Sequence, residues 1–459
     1  MNWKRVILLI VLLCVALFGG CSGENTNNEL ELERGMVVSG ETNIREDCAV
    51  VLHFSTFQKS YDGSELTRAL RASSQFLCCD SDGALTNAFL VNREILCNPV
   101  VKLKSSISIG FLDCSLICSP NGINFFDNSS SLDLSKWTGK GPTLSGYIDE
   151  YDTAYFLFNL GTGPIKGQYS TVLRFVNSQT SYDVVIPHPI TYVAYDSVNR
   201  RFVYRVSAPS DEFLYGFIDY DAENNRYQYN TPNEPISIET TVATYGDWGK
   251  GGYRALCVDN VVYEILTIPV NERVIEDLHL SSDYLDNSEC WWGVLVLSCF
   301  NLSKNTIQLE YLTSEPFAGD LTYGFVMFGT EQMPAYATNG KLYFFTCDEY
   351  LNVYDPQLGF TRYDVKFDTT ETLSPSNLFS KDSQGDSTLG DGSPIKIFND
   401  GNLYTAHAYS DGTIKIHKYN FSDQCFELYW TSASGIFDAL DKKSLEFVSF
   451  ELTHCGNFS

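Results

Sequence analysis

The amino-acid sequence predicts an all-β fold, a β-propeller with seven blades, although six to eight blades fit its length. Three features support this prediction: short apolar stretches that alternate at period two, clusters of Gly, Asn, Asp and Pro between them, and a repeated unit. The alternative is a pair of tandem β-sandwich domains. That arrangement should show a linker near the middle of the chain, and none is recognisable there. The repeat therefore favours one ring.

The repeat is clearest in the C-terminal part of the chain. Asn339-Gly-Lys-Leu-Tyr-Phe begins one copy, two further alternating runs follow, and Asp400-Gly-Asn-Leu-Tyr-Thr begins the next copy. Each copy is marked by an Asn or Asp with an apolar or aromatic pair three and four residues later. The marker also occurs upstream, at Asp152, Asn199 and Asp259, with spacings of 47 to 80 residues. Propeller blades take about 40 to 50 residues, and face loops account for the excess.

A small sheet cannot cover both of its faces, whereas a ring of such sheets leaves only the outer edges exposed. The strand at Cys48–Phe54 is expected to close the ring beside the C-terminal segment Ser444–Phe450. Short helices are expected at Ser64–Arg71 and Asn271–Leu278, because Ser and Asn are favourable helix caps.

The N-terminal segment carries the features of an export signal. Lys4 and Arg5 precede thirteen apolar residues that end at Phe18, a run too short for a comfortable transmembrane helix. Residues 1–20 are therefore predicted to be a signal peptide. Residues 21–45 are predicted to be a lipidated cysteine followed by a flexible acidic tether, and residues 46–459 the propeller domain.

Leu17–Cys21 resembles a bacterial lipobox, although Phe18 stands where leucine is usual. The resemblance implies that Cys21 is lipidated and anchors the protein outside the cytoplasmic membrane. Secretion after cleavage near Gly20 is the alternative.

The net charge restricts the class of partner that the protein can bind. The formal charge of −26 repels phosphate backbones and argues against nucleic acid as a partner.

Of the fourteen cysteines, Cys78, Cys79, Cys97, Cys114 and Cys118 lie close in sequence. Disulfides are expected among them in an exported chain, with the connectivity left open.

The ligand-binding candidates lie in a loop rich in glycine and aromatic residues and in a proline-flanked segment. Tyr and Trp offer a large contact area at a low entropic cost, and the two prolines hold a histidine in an extended segment. These candidates are Tyr245, Asp247, Trp248, Tyr253 and His188. The competing interpretation is that the aromatic residues pack between blades and that the histidine caps neighbouring backbone.

Acidic clusters are candidates for calcium ligands or for the paired carboxylates of a glycosidase. They are Asp219, Asp221 and Glu223, and the loop residues Asp382, Asp386 and Asp391. A solvated outer strand gives the same pattern. Apart from calcium, no cofactor is expected.

Two histidines flank the tight turn at Asp411-Gly412. A two-residue turn places His407 opposite Ile416 and His417 opposite Ala406, with the imidazoles on opposite faces of the hairpin. A metal ion shared by the two histidines is therefore not expected.

From Cys21 to the C-terminus, this layout resembles exported bacterial β-propeller lipoproteins, which implies display of a binding surface outside the membrane. The leading hypothesis is a lipid-anchored binding or scaffolding protein that contacts a protein or a glycan through loops on one propeller face. The alternatives are a carbohydrate-active enzyme with carboxylates in the central channel and an envelope-assembly component.

Overall fold

The computed structural model describes residues 29–31, 36–41, 43–56, 73–92, 100–128, 144–159, 171–188, 190–206, 214–230, 255–285, 291–319, 335–346, 350–367, 372–373, 394–398, 400–440 and 445–452. These residues form seven small antiparallel sheets, numbered below as blades 1 to 7 in chain order.

Blade 1 has five strands besides the C-terminal strand, and blades 2, 3 and 4 have four strands each. Blade 1 contains β1 (Glu29–Glu31), β2 (Val37–Gly40), β3 (Val50–Thr56), β4 (Ser74–Cys79) and β5 (Leu85–Val91). Blade 2 contains β6 (Val100–Lys102), β7 (Ile107–Gly110), β8 (Cys114–Ser119) and β9 (Gly122–Asp127). Blade 3 contains β10 (Leu144–Ile148), β11 (Thr153–Asn159), β12 (Thr171–Val176) and β13 (Ser181–Ile186). Blade 4 contains β14 (Ile190–Asp196), β15 (Arg201–Val206), β16 (Leu214–Asp221) and β17 (Arg226–Asn230).

The remaining blades follow the same plan. Blade 5 contains β18 (Leu256–Val258), β19 (Val261–Pro269), β20 (Trp291–Asn301), β21 (Thr306–Tyr311) and β22 (Phe317–Gly319). Blade 6 contains β23 (Ala335–Thr338), β24 (Lys341–Thr346), β25 (Tyr350–Asp355) and β26 (Gly359–Asp364). Blade 7 contains β27 (Thr372–Leu373), β28 (Ile395–Ile397), β29 (Leu403–Tyr409), β30 (Ile414–Asn420) and β31 (Cys425–Thr431), and the last strand is β32 (Leu445–Leu452).

Shared apolar clusters join these sheets into a ring. Each of the seven pairs of neighbouring blades buries one cluster between its two sheets, represented by Phe76 and Leu116, Ile117 and Phe156, Phe175 and Phe202, Tyr215 and Phe300, Leu297 and Phe344, Leu351 and Leu403, and Ile416 and Phe54. Because the last pair joins blade 7 to blade 1, the ring is closed. The predicted seven-bladed propeller is confirmed, and the two-sandwich alternative is excluded.

The two ends of the described chain close the ring within one sheet. β32 pairs antiparallel with β3, with Val50 opposite Leu452 and Thr56 opposite Leu445. The sheet order of blade 1 is β1-β2-β5-β4-β3-β32, so the C-terminal strand forms the inner edge and β1 the outer edge. The predicted pairing of Cys48–Phe54 with the C-terminal segment is confirmed.

The sequence markers of the repeat lie in the turn between the first and second strands of a blade. Asp259 and Asn260 have φ angles of 51° and 62°, and Asn339 and Gly340 have φ angles of 51° and 69°. Two consecutive left-handed residues indicate a type I′ turn, which favours Asn, Asp and Gly. The turn chemistry explains why these residue types recur in the first turn of blades 3 to 7.

The longest marker spacing corresponds to an enlarged blade 5. Its strands β19 and β20 have 9 and 11 residues, and helix α1 (Glu272–Leu278) lies between them. The Asn271 side chain caps this helix by accepting a hydrogen bond from the Val274 amide at 3.0 Å. The helix predicted at Asn271–Leu278 is confirmed, whereas Ser64–Arg71 lies outside the described residues.

Blade 1 begins earlier than the sequence suggested. Val38 pairs with Val91 in β5, and the side chains of Met36 and Val38 are fully buried. Their apolar side chains fill the interface between blades 1 and 2, so residues 36–41 and 43–45 belong to the packed body rather than to a tether. The predicted boundary at residue 46 is corrected to Met36 or earlier. Across the described residues, no helix is both long enough and apolar enough to cross a membrane.

Candidate functional site in the central channel

A cavity of about 370 Å³ lies among the innermost strands of the ring. Its lining comes from β6, β10, β23, β28 and β32, which belong to blades 2, 3, 6, 7 and 1. Blades 3 and 6 are not neighbours, so a space that touches both lies on the propeller axis. This space is called the channel cavity below. Its volume is in the range typical of small-molecule sites.

Aromatic side chains form much of the wall of the channel cavity. Tyr147, Tyr155 and Tyr336 line it. Gly146 allows the Tyr155 ring to lie across β10, because a Cβ atom at residue 146 would stand 2.2 Å from that ring. The Tyr336 hydroxyl donates a hydrogen bond to the Ile395 carbonyl oxygen at 2.8 Å and thereby ties blade 6 to blade 7. The aromatic wall is therefore held in place by local packing.

A buried ion pair crosses from blade 7 to blade 1 at the channel cavity. Lys396 Nζ lies 2.6 Å from Glu451 Oε2, and the two side chains are 9% and 10% exposed. Burial, and then the charge of Lys396, lowers the pKa of His53 on β3 to about 3. His53 is neutral at pH 7 and stacks on Phe76 with ring centroids 4.7 Å apart.

Two further lysines line the channel cavity from blade 2. Lys102 ends β6 and is half-buried, and Lys104 is exposed. The backbone amide of Lys104 donates to Asp152 Oδ1 at 2.8 Å, and the Tyr147 hydroxyl donates to the same oxygen at 2.9 Å. Asp152 therefore positions a cationic segment and an aromatic wall residue relative to each other.

Most of the sites predicted from sequence lie outside the described residues. These are Cys21, Tyr245, Asp247, Trp248, Tyr253, Asp382, Asp386 and Asp391. His188 is described, in the connection between β13 and β14, where it is half-buried. Its carbonyl oxygen accepts a hydrogen bond from Thr171 Oγ1 at 3.0 Å. His188 is not among the residues that line the channel cavity.

The acidic cluster on blade 4 is engaged in a turn. The Asp221 carboxylate accepts hydrogen bonds from the amides of Glu223 and Asn224 and from the Asn224 side chain, at 2.6 to 3.3 Å. The hydrogen bond from the Asn224 side chain contributes most to lowering the pKa of Asp221. Asp219 lies two residues earlier on β16. Among the residues the structure describes, no group of three or more His, Cys, Asp or Glu is arranged to hold a metal ion. In the described part of this cluster, Asp221 therefore has a structural role in the turn after β16.

The predicted register of the His407 hairpin is wrong by one residue. His407 pairs with Lys415, and His417 pairs with Thr405. The turn holds one more residue between the paired positions than a two-residue turn, so Tyr409 donates its amide to the Thr413 carbonyl. Both imidazoles consequently lie on the same face, with ring centroids 6.3 Å apart.

Both imidazoles of this pair pack against the same aromatic ring. Phe367 stacks on His407 at 4.1 Å and contacts His417 at 5.0 Å. Burial, and then the neighbouring imidazole, lowers the pKa of His407 to about 3. Burial, and then Lys415, lowers the pKa of His417 to about 4. Both rings are therefore neutral at pH 7.

Stability is expected to fall as the pH falls below 6.5, the ordinary pKa of histidine, because the unfolded chain binds protons that folded His407 excludes down to about pH 3. One such histidine contributes a slope of about 1.4 kcal/mol per pH unit within that window. His407→Gln should remove this contribution from the pH dependence of the free energy of unfolding, measured with urea between about pH 3 and pH 6.5. The control is His279→Asn, at an exposed position. Equal slopes in wild type and His407→Gln would contradict the assignment.

The disulfides expected near the N-terminus of the body are not formed by Cys78, Cys79 and Cys118, which are buried thiols. Cys48 and Cys114 are buried as well, and Cys97 lies outside the described residues. Burial raises the pKa of Cys79 and of Cys118 to about 12, which makes both thiols unreactive. These cysteines act as small apolar residues in the cores of blades 1 and 2.

The charged residues of the channel cavity were not identified from the sequence. A usable signal was present, because Val100-Val-Lys-Leu-Lys104 and Ile395-Lys-Ile397 place lysines in otherwise apolar strands. The first strand of a blade faces the axis, so a lysine there predicts a charged channel. Recognising the signal requires the strand order, which the markers alone do not supply.

No protein-family model matches the chain, and no curated protein matches it. Among solved structures, it is similar to a mutant of Synechocystis apocarotenoid oxygenase, with a TM-score of 0.40 and 7% identity over 90% of this chain and 94% of that chain. The cobalt-substituted form of the same oxygenase gives a TM-score of 0.41 and 7% identity over 93% and 97% of the two chains. The WD40 β-propeller domain of Doa1 gives a TM-score of 0.25 and 11% identity over 61% and 79%. Similarity at this level carries no argument about activity.

Proposed function

We propose that this protein is a binding or scaffolding propeller, anchored outside the cytoplasmic membrane by lipid on Cys21, which contacts a protein or a glycan through loops on one face. A closed ring of seven sheets is a rigid frame that supports a binding role in general. The anchor rests on Lys4-Arg5, the apolar run that ends at Phe18, and Cys21. The surface rests on the loop from Tyr245 to Tyr253, whose composition suits ligand contact.

One observation favours binding over the carbohydrate-active alternative. Glu451 is the one carboxylate among the described residues that line the channel cavity, and Lys396 holds it at 2.6 Å. Glycoside cleavage commonly uses two carboxyl groups about 5 to 10 Å apart. The described lining supplies one, already paired, which suits recognition better than acid and base catalysis.

Capture on a glycan array and pull-down from envelope extracts test the proposed surface. Residues 22–459 are expected to retain a specific glycan or protein, and Trp248→Ala should lower the affinity at least tenfold, because a central aromatic residue often contributes about 2 kcal/mol or more to binding. The matched control is Leu358→Ala, since Leu358 is 81% exposed in a turn of blade 6. Equal retention by wild type and Trp248→Ala would remove the loop from the proposal. Release of reducing sugar from a captured glycan would favour the carbohydrate-active enzyme. Capture of an envelope-assembly protein would favour a role as an envelope-assembly component.

Expression in a bacterial host tests the proposed lipid anchor. The full chain should incorporate labelled palmitate and sediment with membranes, whereas Cys21→Ser should do neither. If Cys21→Ser still sediments with membranes, the lipid anchor is refuted and the binding role must be tested without it.

A further inference from the structure

The charge of the channel cavity is opposite to the charge of the whole protein. The chain has a formal charge of −26. Among the described residues, those that line the channel cavity and carry charge are Lys102, Lys104, Lys396 and Glu451, three cations against one anion. A predominantly acidic surface repels small anions, so a cationic interior is needed where an anion binds.

Two of these lysines remain available to a ligand. Lys396 and Glu451 neutralise each other at 2.6 Å. Within the described part of the chain, the ammonium groups of Lys102 and Lys104 have neither an ion-pair nor a hydrogen-bond partner. Positive charge that lines a partly enclosed space without a partner favours binding of an anion.

The backbone places the two ammonium groups within reach of one anionic group. Val101 and Leu103 are buried between blades 2 and 3, so the side chain of Lys102, which lies between them, points away from that core. Lys104 lies in the turn that follows β6, which the Leu103 amide closes by donating to the Ser106 carbonyl oxygen. Residues two positions apart lie at most about 7 Å from each other, and two flexible lysine side chains span that distance easily. Asp152 holds the Lys104 backbone at 2.8 Å, which fixes the direction of this segment.

The remaining wall suits the body of a small polar molecule. Tyr147, Tyr155 and Tyr336 line the channel cavity, and a sugar ring packs on aromatic side chains through its C–H groups while its hydroxyls form hydrogen bonds. A cavity of about 370 Å³ accommodates one or two sugar rings. We infer that the channel cavity binds a sugar-sized anion, a carboxylated or phosphorylated sugar, whose anionic group is held by Lys102 and Lys104. This site does not depend on the surface loops or on the anchor.

Isothermal titration calorimetry with three matched probes tests the inference. Glucose, glucuronate and glucose 6-phosphate share one ring and differ in charge. At least one of the two anions is expected to bind residues 22–459 at least tenfold more tightly than glucose, and its affinity should fall as sodium chloride is raised. Stronger binding of glucuronate identifies a carboxylate ligand, and stronger binding of glucose 6-phosphate identifies a phosphate ligand.

Variants locate the binding site. Lys102→Gln combined with Lys104→Gln should weaken binding of the preferred anion at least tenfold and reduce its salt dependence. Lys304→Gln, at an exposed position in the turn between β20 and β21, is the control and should bind as wild type does. Lys104→Gln alone serves if the double variant does not fold, because Lys104 is exposed. Absence of binding by both anions, equal binding of glucose, or unchanged affinity in a folded Lys104→Gln variant would overturn the inference. None of these outcomes depends on whether the Tyr245 to Tyr253 loop binds a partner.

Discussion

Replacing Arg174 with methionine is expected to lower the free energy of unfolding by about 3 to 5 kcal/mol, the cost of breaking a buried ion pair from one side. Arg174 on β12 is fully buried, and its guanidinium forms two hydrogen bonds with Asp183, at 2.6 and 2.9 Å. The same group donates to the carbonyl oxygens of Phe111, Leu112 and Cys114 in blade 2. Methionine preserves apolar volume but leaves a carboxylate and three carbonyl oxygens without this donor. Urea unfolding followed by circular dichroism measures the loss.

Arg45→Met is the matched control for this experiment. Arg45 forms a similar pair with Asp47 at 2.7 Å, but the two side chains are 56% and 49% exposed. Solvent screens such a pair, so its loss should cost about 0 to 1 kcal/mol. Similar losses in the two variants would show that Arg174 does not join blades 2 and 3 as the hydrogen bonds indicate.

Deleting residues 441–459 is expected to prevent cooperative folding, because it removes β32, the inner strand of blade 1. The deletion uncovers the core between blades 7 and 1, where Phe447, Phe450 and Leu452 are at most 2% exposed. Burying three such side chains contributes roughly 5 to 9 kcal/mol, comparable with the whole stability of a domain. The truncated chain should aggregate or give a broad, non-cooperative unfolding transition in urea.

Deleting residues 1–35 provides the matched truncation. It removes β1, which lies at the opposite edge of the same sheet and contributes three residues. An outer edge strand covers little core, so this variant should unfold cooperatively, close to the full-length protein. If both truncations unfold alike, the closure at β3 and β32 is not what holds the ring together.

Buried charged side chains connect neighbouring blades. Arg174 pairs with Asp183 within blade 3 and donates hydrogen bonds to carbonyl oxygens of blade 2, whereas Lys396 on blade 7 forms an ion pair with Glu451 on blade 1. Arg205 on blade 4 lies 2.6 Å from Glu264 on blade 5, with side chains 11% and 1% exposed. Apolar packing tolerates several relative positions of two sheets, whereas buried charged groups find their partners in only one relative position. We therefore attribute the alignment of blades 7 and 1 and of blades 4 and 5 partly to their ion pairs, and that of blades 2 and 3 partly to the hydrogen bonds of Arg174.

The strands and turns could be predicted locally. Asn339-Gly340 specifies a type I′ turn, and the runs after it alternate at period two, which matches β24, β25 and β26. The helix after Asn271 followed from its cap. The error in the His407 hairpin shows the limit of local prediction. One additional residue in a turn reverses every side chain beyond it, and turn length is not encoded by residue type alone.

The sequence by itself determined the type and order of the elements, the repeat and the pairing that closes the ring, because these follow from alternation and turn chemistry within short segments. Only the tertiary structure showed that residues from five blades share one cavity and that Arg174 joins blades 2 and 3. Lys102 and Glu451 are 349 positions apart in the sequence, and only closure of the ring brings them to the same axis. Such contacts depend on the relative orientation of whole sheets, which no short segment of the chain specifies.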